Sequence, residues 1–181
     1  MEQVFAPWRI EWVERDDAEK DFEGCVFCAF ADRDDDRENL VVARSDHAFV
    51  LFNNYPYNPG HAMVIPRDHT GDYRDLSEEA LLDHARLKQR TFDALDSALS
   101  PTGFNAGLNL GRGAGGSIDD HLHTHVVPRW EGDTNFMPVI SDTKVIVEAI
   151  DETYDRVREA FAEQDGAEVP DDDERAIRVR F

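Results

Sequence analysis

The sequence predicts an α+β domain with a mostly antiparallel sheet of about five strands, and three patterns support this fold class. Short apolar runs bounded by turn residues predict strands. Two longer segments carry apolar residues at helical spacing and predict a long helix between strands and a C-terminal helix. Three of the seven histidines, at positions 121, 123 and 125, occupy every second position, which is the period of a strand.

The first predicted elements are three strands and a helix. NLVVAR (39–44) and HAFVLFN (47–53) are predicted strands, and GHAMVIP (60–66) follows the turn-rich loop NYPYNPG. Ser77 can cap the next segment as a helix, with Glu78 and Glu79 favourable in its first turn. Its predicted apolar stripe is Leu81, Ala85, Phe92, Leu95 and Leu99.

The second half of the chain predicts two strands, a helix and a terminal strand. GFNAGLNL (103–110) alternates Phe104, Ala106, Leu108 and Leu110 with small polar residues, as a half-buried strand does. The histidine strand follows, and then a helix over about 141–164 with Val147, Ile150, Tyr154, Val157 and Phe161 as its buried stripe. The tail alternates Ile177, Val179 and Phe181 with arginines, which indicates an added edge strand.

The charge is strongly acidic, with 39 acidic residues against 19 basic ones and a formal net charge of −20. Only Lys20, Lys88 and Lys144 are lysine. Because dense like charges repel unless salt screens them, we interpret this balance as adaptation to a salt-rich (halophilic) cytoplasm. An acidic protein of an ordinary cell, or one with a basic partner, stays open. No basic stripe is present, so nucleic-acid binding is not expected.

The segment MEQVFAPWRI has neither a basic region nor an apolar core of the signal-peptide type, and no run of about 18 apolar residues occurs. We therefore expect a soluble cytoplasmic protein that does not bind membranes. The DRDDDRE run (32–38) is expected to be a solvated loop.

Three interpretations of the histidine strand remain open. The imidazoles can be satisfied by neighbouring groups, or two of them can share a catalytic zinc with a third ligand from elsewhere. In the third interpretation, one neutral imidazole attacks phosphorus while its other ring nitrogen donates to a fixed acceptor. The upstream segment GRGAGGS (111–117) favours the third, because glycines let backbone N–H groups turn toward an anion, although a plain turn would explain it too.

Cys25 and Cys28 form the only C-x-x-C in the chain. In an intracellular protein such a pair binds metal or is redox-active more often than it forms a structural disulfide. No strand pattern precedes Cys25, which disfavours a redox motif, while unliganded thiols stay open. Zinc needs two further ligands, and His69 and His121 are the candidates for a closed Cys2His2 site. His47 and His84 are interpreted as surface or packing residues.

HLHTHVVPR (121–129) resembles the His-x-His-x-His-x-x signature of the histidine-triad (HIT) nucleotide-binding superfamily. APWR, CVFC, FNNYPYNPGHAMVIP and the segment from GFNAGLNL to GDTNF look like the branch that contains diadenosine tetraphosphate phosphorylases. The likeness covers roughly residues 6–160. Thr124 departs from the pattern, because this position is normally apolar and should lie on the other face of the strand.

The resemblance implies a role for each matching residue. His123 matches the nucleophile that forms a covalent nucleotidyl intermediate, and His125 and His61 match the flanking histidines. Asn53 matches the ribose-binding position, and Asn109, Gly116 and Ser117 match the phosphate-contacting segment. Cys25, Cys28, His69 and His121 match the zinc ligands of zinc-bearing relatives, and the family usually forms homodimers in which two five-stranded sheets join.

The implied activity is phosphorolysis of dinucleoside polyphosphates, in which diadenosine tetraphosphate and phosphate give ADP and ATP. Two alternatives stay open: a hydrolase of dinucleoside polyphosphates or nucleoside phosphoramidates, and a non-catalytic nucleotide- or zinc-binding protein. A divalent cation bound with the substrate also stays open. We expect one HIT-like domain over 1–181, with an N-terminal arm and zinc knuckle (1–38), a core (39–164) and an acidic tail (165–181).

Overall fold

The computed structural model describes residues 24–116, 118–133 and 150–181, and these residues form the predicted α+β architecture. The elements in chain order are α1 (Val26–Asp32), β1 (Val41–Arg44), β2 (Ala48–Phe52), β3 (Ala62–Pro66), α2 (Glu78–Leu99), β4 (Gly103–Gly107), β5 (Thr124–Arg129), α3 (Ile150–Ala162), β6 (Ala167–Glu168) and β7 (Ile177–Val179). Short 3-10 turns lie at Tyr73–Asp75 and Arg112–Ala114. The predicted N-terminal arm before residue 24, and residues 141–149 of the predicted last helix with Val147, lie outside the described residues.

The strands of the described residues form one sheet in the order β4-β5-β3-β2-β1-β7-β6, and every pair is antiparallel except β1 with β7. Strands β1 to β5 are the five that the sequence predicts, and the other two come from the C-terminal segment. The segment was expected to add an edge strand, but β7 lies inside the sheet and β6 forms the edge. Ile177 and Val179 are fully buried, so this segment completes the core rather than extending from it.

Both faces of the central strands are covered. On one face Val42, Val50 and Val64 pack against α2 and α3, and on the other Phe49 and Ile65 pack with residues of α1. Burial on both faces explains why β2 and β3 are continuous apolar runs rather than alternating ones. The two faces therefore have different coverings, long helices on one and the short α1 on the other.

Helix α2 begins as predicted, because the Ser77 side chain accepts a hydrogen bond from the Ala80 backbone N–H. Its buried face differs from the predicted stripe: the buried residues are Ala80, His84, Leu87, Thr91, Ala94 and Leu95. Two polar residues lie on the buried face, and Thr91 satisfies its hydroxyl by donating to the Leu87 carbonyl, 2.8 Å away. A hydrophobic pattern alone assigns such positions to solvent, which shifted the predicted face.

The acidic run at 32–38 is not a solvated loop throughout. Asp36 is 2% exposed and accepts hydrogen bonds from Arg44 Nε at 2.8 Å and from the Ala176 backbone N–H at 2.8 Å. Because a buried carboxylate needs such partners, Asp36 joins the loop to β1 and to the residue just before β7. The alternation predicted for 103–110 also fails at its centre, since Ala106 is exposed on the edge strand β4.

Within the described ranges, none of the helices is long and apolar enough to cross a membrane.

Candidate active site and metal centre

The histidine segment lies on the face of the sheet that α1 covers. Of the three histidines, only His125 belongs to β5, and His121 and His123 lie in the segment just before it. The prediction of one strand that contains all three histidines is therefore wrong, because the observed strand begins at Thr124. The rings of His123 and His125 are 5.0 Å apart between centroids. Thr124 points to the opposite face, as expected, where its hydroxyl oxygen lies 3.2 Å from Nε2 of His84 on α2.

His123 is buried and held through one ring nitrogen. Its Nδ1 lies 2.9 Å from the backbone carbonyl oxygen of His121, and since a carbonyl can only accept, we assign the proton to Nδ1. The free lone pair then lies on Nε2, which makes Nε2 the nucleophilic atom of the ring. Burial lowers the pKa of His123 below its usual value, against the opposing effect of the hydrogen bond to His121. A neutral imidazole with this tautomer is prepared to attack an electrophile.

His61 and His125 form a hydrogen-bonded pair beside it. The Tyr57 backbone N–H donates to His61 Nδ1 over 3.1 Å, so the ring proton of His61 lies on Nε2. That nitrogen is 2.9 Å from His125 Nδ1, and the proton of a neutral His125 is therefore on its own Nε2. The Tyr57 ring also stacks on His61, with centroids 4.8 Å apart. One backbone amide thus fixes the tautomers of two imidazoles.

The other predicted binding residues lie near loops rather than within regular elements. Asn53 follows β2, accepts the Tyr55 backbone N–H at 2.8 Å, and lines a cavity of about 260 Å³ together with Gly60 and His61. Asn109 and Gly116 are neighbours, because a Cβ built on Gly116 would lie 3.4 Å from the Asn109 Cβ. Ser117 lies outside the described residues. The glycine turn bends at Gly111 and Gly115, which both have positive φ angles.

Cys25, Cys28, His69 and His121 come together as the sequence predicts, with one ligand atom of each within 4.8 Å of all the others. The Cys25 Sγ lies 3.2 Å from His121 Nδ1, and the Cys28 Sγ lies 3.3 Å from His69 Nδ1. In a tetrahedral zinc site, ligand atoms are about 3.3–3.8 Å apart. The two Cys–His pairs are close to this spacing, and two thiols with two imidazoles are a donor set that zinc takes, so these four residues form a possible metal site.

The chemistry of the ligands supports the same conclusion. His121 Nε2 is 2.8 Å from the Pro66 carbonyl oxygen and must donate to it, which leaves the Nδ1 lone pair facing the thiols. Burial, together with the Cys25 neighbour, raises the pKa of the Cys28 thiol to about 11 in the protein without a metal ion. A divalent cation would displace the thiol protons, as metal binding to cysteine does generally.

Two groups that contact the site were not predicted from the sequence. Phe27, between the two cysteines, is 3% exposed and contacts the rings of both His121 and His123. Asp133 accepts from Arg129 Nε at 2.6 Å and from Asn58 Nδ2 at 2.9 Å, which joins the loop before β3 to the end of β5. The Arg129 hydrogen bond is the main reason that the pKa of Asp133 falls to about 2. The available signals were their positions within CVFC and PRWEGD.

Comparison with known proteins shows a family match over the part of the chain that contains the histidine segment. The model of the HIT domain family matches residues 35–132, slightly more than half of the chain. A relative named AP-4-A phosphorylase from Mycobacterium tuberculosis is 42% identical over 129 residues, which are 71% of this chain and 66% of the relative. The matched part of this chain thus spans just under two thirds of that protein.

Solved structures share the fold. A histidine triad nucleotide-binding protein from Sulfolobus tokodaii superposes with a TM-score of 0.62 at 27% identity, covering 76% of this chain and 91% of its own. A zinc-bound histidine triad family protein from Mycobacterium smegmatis has a TM-score of 0.62 at 28% identity, covering 77% and 94%.

Proposed function

Because the chain belongs to the HIT domain family, we propose that it is a nucleotidyl transferase that cleaves dinucleoside polyphosphates by phosphorolysis. The observation that carries this proposal is the hydrogen bond from His123 Nδ1 to the His121 carbonyl, which leaves the Nε2 lone pair for attack. The 42% identity to a protein named AP-4-A phosphorylase supports diadenosine tetraphosphate as the substrate and phosphate as the acceptor.

The reaction has two in-line displacements. Neutral His123 attacks the α-phosphorus of diadenosine tetraphosphate, the bond to the bridging oxygen breaks, and ATP leaves. An adenylyl group then remains on Nε2 of His123. Inorganic phosphate attacks the same phosphorus from the opposite side, releases the imidazole and forms ADP. Water in place of phosphate would give AMP, which is the hydrolase alternative.

The neighbouring residues receive roles that suit their contacts. The chain of hydrogen bonds from Tyr57 through His61 makes His125 Nε2 a donor, which suits a phosphate oxygen whose charge grows in the transition state. Asn53, beside the 260 Å³ cavity, is proposed to bind the ribose hydroxyls. Asn109 and Gly116, with Ser117 after them, are proposed to hold the phosphates.

We propose zinc as the ion of the Cys25, Cys28, His69 and His121 centre, with a structural role. When bound, zinc supplies a cross-link and no reactive position, because four protein ligands close its coordination shell. The ligands themselves hold α1 against the segment before β5, next to His123. The zinc-bound relative from Mycobacterium smegmatis supports this assignment.

Three broader properties belong to the same proposal. They are a single HIT-like domain, assembly as a homodimer and adaptation to a salt-rich cytoplasm. The outer edge of β4, with Ala106 exposed, supports joining of two sheets across copies. The net charge of −20 supports salt adaptation.

The deciding experiment incubates the zinc-loaded protein with adenine-labelled diadenosine tetraphosphate, with and without inorganic phosphate. ADP and ATP in the presence of phosphate support phosphorolysis. AMP and ATP in both conditions identify the hydrolase, and unchanged substrate identifies a binding protein; either result contradicts the proposal. His123→Ala is the control for product that does not depend on the proposed nucleophile.

A further inference from the structure

Phe27 has a position that neither the metal centre nor the reaction explains. Its ring meets the His121 ring edge-on at 5.5 Å between centroids and lies 5.3 Å from the His123 ring at an interplanar angle of 51°. It is 3% exposed and belongs to the apolar cluster that contains Phe49 and Ile65. One side chain therefore touches a metal-ligand candidate and the proposed nucleophile together.

We propose that Phe27 is a positioning residue for His123, which makes the metal centre and the nucleophile a single mechanical unit. This inference rests on the proposed function of His123. The hydrogen bond from Nδ1 to the His121 carbonyl fixes one point of the His123 ring. The packed Phe27 ring fixes its plane, because the imidazole cannot turn about its Cβ–Cγ bond without displacing a neighbour that is itself closely packed.

Two covalent connections lead from the metal centre to this arrangement. Phe27 lies between Cys25 and Cys28 in the sequence, so holding both thiols also holds the first turn of α1 and its aromatic ring. His121 presents Nδ1 to the thiols and its backbone carbonyl to His123. Ordering the four ligands would therefore also order the Phe27 ring and the His121 carbonyl, which are two groups that contact His123.

We expect a change at Phe27 to slow the attack of His123 on phosphorus and to leave the affinity for substrate unchanged. In-line displacement at phosphorus requires the attacking nitrogen to be aligned closely with the leaving oxygen, and an error of about 1 Å can cost about 100-fold. Substrate binding uses other residues, on the proposed assignment, so KM should change little. A smaller side chain at position 27 would free the imidazole to rotate and admit water to Nδ1.

The test compares Phe27→Leu with Phe49→Leu in the zinc-loaded full chain. Both changes remove a buried ring from the same apolar cluster, but within the described residues Phe49 has no contact with a histidine ring. Single-turnover formation of the nucleotidyl-histidine, KM, bound zinc and thermal stability are measured for each. We expect Phe27→Leu to slow the single turnover by about 10–100-fold with KM and zinc content unchanged, and Phe49→Leu by less than about threefold.

A second measurement needs no substrate. Nitrogen NMR of the His123 ring is recorded at a pH at which the imidazole is neutral. We expect the Nδ1–H tautomer in the wild type and in Phe49→Leu, and a mixture of the two tautomers in Phe27→Leu. An unchanged tautomer in Phe27→Leu, equal rate losses in the two variants, or loss of zinc from Phe27→Leu would each overturn the inference. If the wild type forms no nucleotidyl-histidine, the proposed function fails, while the NMR result still decides the role of Phe27.

Discussion

The two faces of the segment around β5 each bury a histidine, and the two histidines differ in what surrounds them. His123 on one face and His84 on the other are 7% and 2% exposed, and burial is the main cause that lowers the pKa of each. His123 Nδ1 has a carbonyl acceptor. His84 Nε2 faces the Val64 carbonyl at 3.3 Å, and its Nδ1 has no hydrogen-bond partner among the described residues.

The difference teaches that burial and a shifted pKa do not identify a catalytic histidine. Those two properties are shared, and only the partners and the neighbouring groups differ. His123 has a second histidine ring 5.0 Å away and a metal-ligand candidate beside it. The His84 ring instead lies beside the Val64 carbonyl, the Thr124 hydroxyl and the Tyr73 ring. These partners support the chemical role proposed for His123 and a packing role for His84, which the sequence also predicted as a surface or packing residue.

The largest effect that this contrast predicts comes from His123→Ala. Formation of the nucleotidyl intermediate should fall by about 10⁴-fold or more, because the change removes the nitrogen that attacks phosphorus in the proposed reaction. Rapid-quench capture of labelled nucleotide on the protein measures it, and circular dichroism checks that the variant is folded. Capture within tenfold of wild type would remove the distinction between the two histidines.

Cys28→Ser should have the next largest effect, since it weakens the centre that adjoins His123 but not His84. We expect loss of bound zinc, a fall in stability of about 2 kcal/mol, equivalent to about 4–8 °C in Tm, and slower capture by about 10–100-fold. Metal analysis, calorimetry and single-turnover assays measure these quantities. Full zinc occupancy and an unchanged Tm would show that Cys28 is not a ligand.

Low pH should destabilise the protein, because burial lowers the pKa of both His84 and His123. A folded-state pKa below the ordinary value near 6.5 means that the unfolded chain binds protons first, so stability present above pH 6.5 is lost as the pH falls below it. The loss is at most about 1.4 kcal/mol per pH unit for each histidine. Urea unfolding at pH 7.5, 6.5 and 5.5 should show a shallower decline in His84→Leu than in the wild type; parallel curves would contradict the shared mechanism.

The smallest effect is expected from His84→Leu on catalysis. An apolar side chain of similar size removes Nδ1, which has no partner among the described residues, and also the long contacts of Nε2 with the Val64 carbonyl and the Thr124 hydroxyl. Because this gain and this loss oppose each other, stability at pH 7.5 should change by less than about 1 kcal/mol. Capture of nucleotide should stay within about threefold of wild type. Thr124→Val is the matched change on the other side of this contact, since the Thr124 hydroxyl lies 3.2 Å from His84 Nε2. A large loss of nucleotide capture in either variant would mean that the face of the sheet covered by α2 also serves the reaction.

The sequence predicted several of the groups that the fold brings together in the candidate site, because these residues carry distinctive chemistry at distinctive spacing. The C-x-x-C pair with two histidines predicted the four residues that the fold brings together as a possible metal site, and the alternate histidines predicted the contact between His123 and His125. The α+β class and the first five strands followed from periodicity, which depends on near neighbours in the chain.

The sequence could not reveal features that depend on distant contacts. Phe27 looks like any apolar residue until its ring is placed against two histidines. Asp36 lies in a charged run that predicts a solvated loop, but it is buried because Arg44 and the Ala176 backbone N–H, from other parts of the chain, donate hydrogen bonds to it. The buried face of α2 includes His84 and Thr91, whose polarity conceals their position.

The parallel pairing of β1 with β7 has a consequence for synthesis on the ribosome. Ala43 and its partner Ile177 are more than 130 positions apart, so one side of β1 has no neighbour until nearly all of these 181 residues have been translated. During that interval the nascent chain presents an open strand edge, which invites pairing with other chains. A product that stops before β7 would keep that edge and aggregate, whereas a chain that contains β7 closes it.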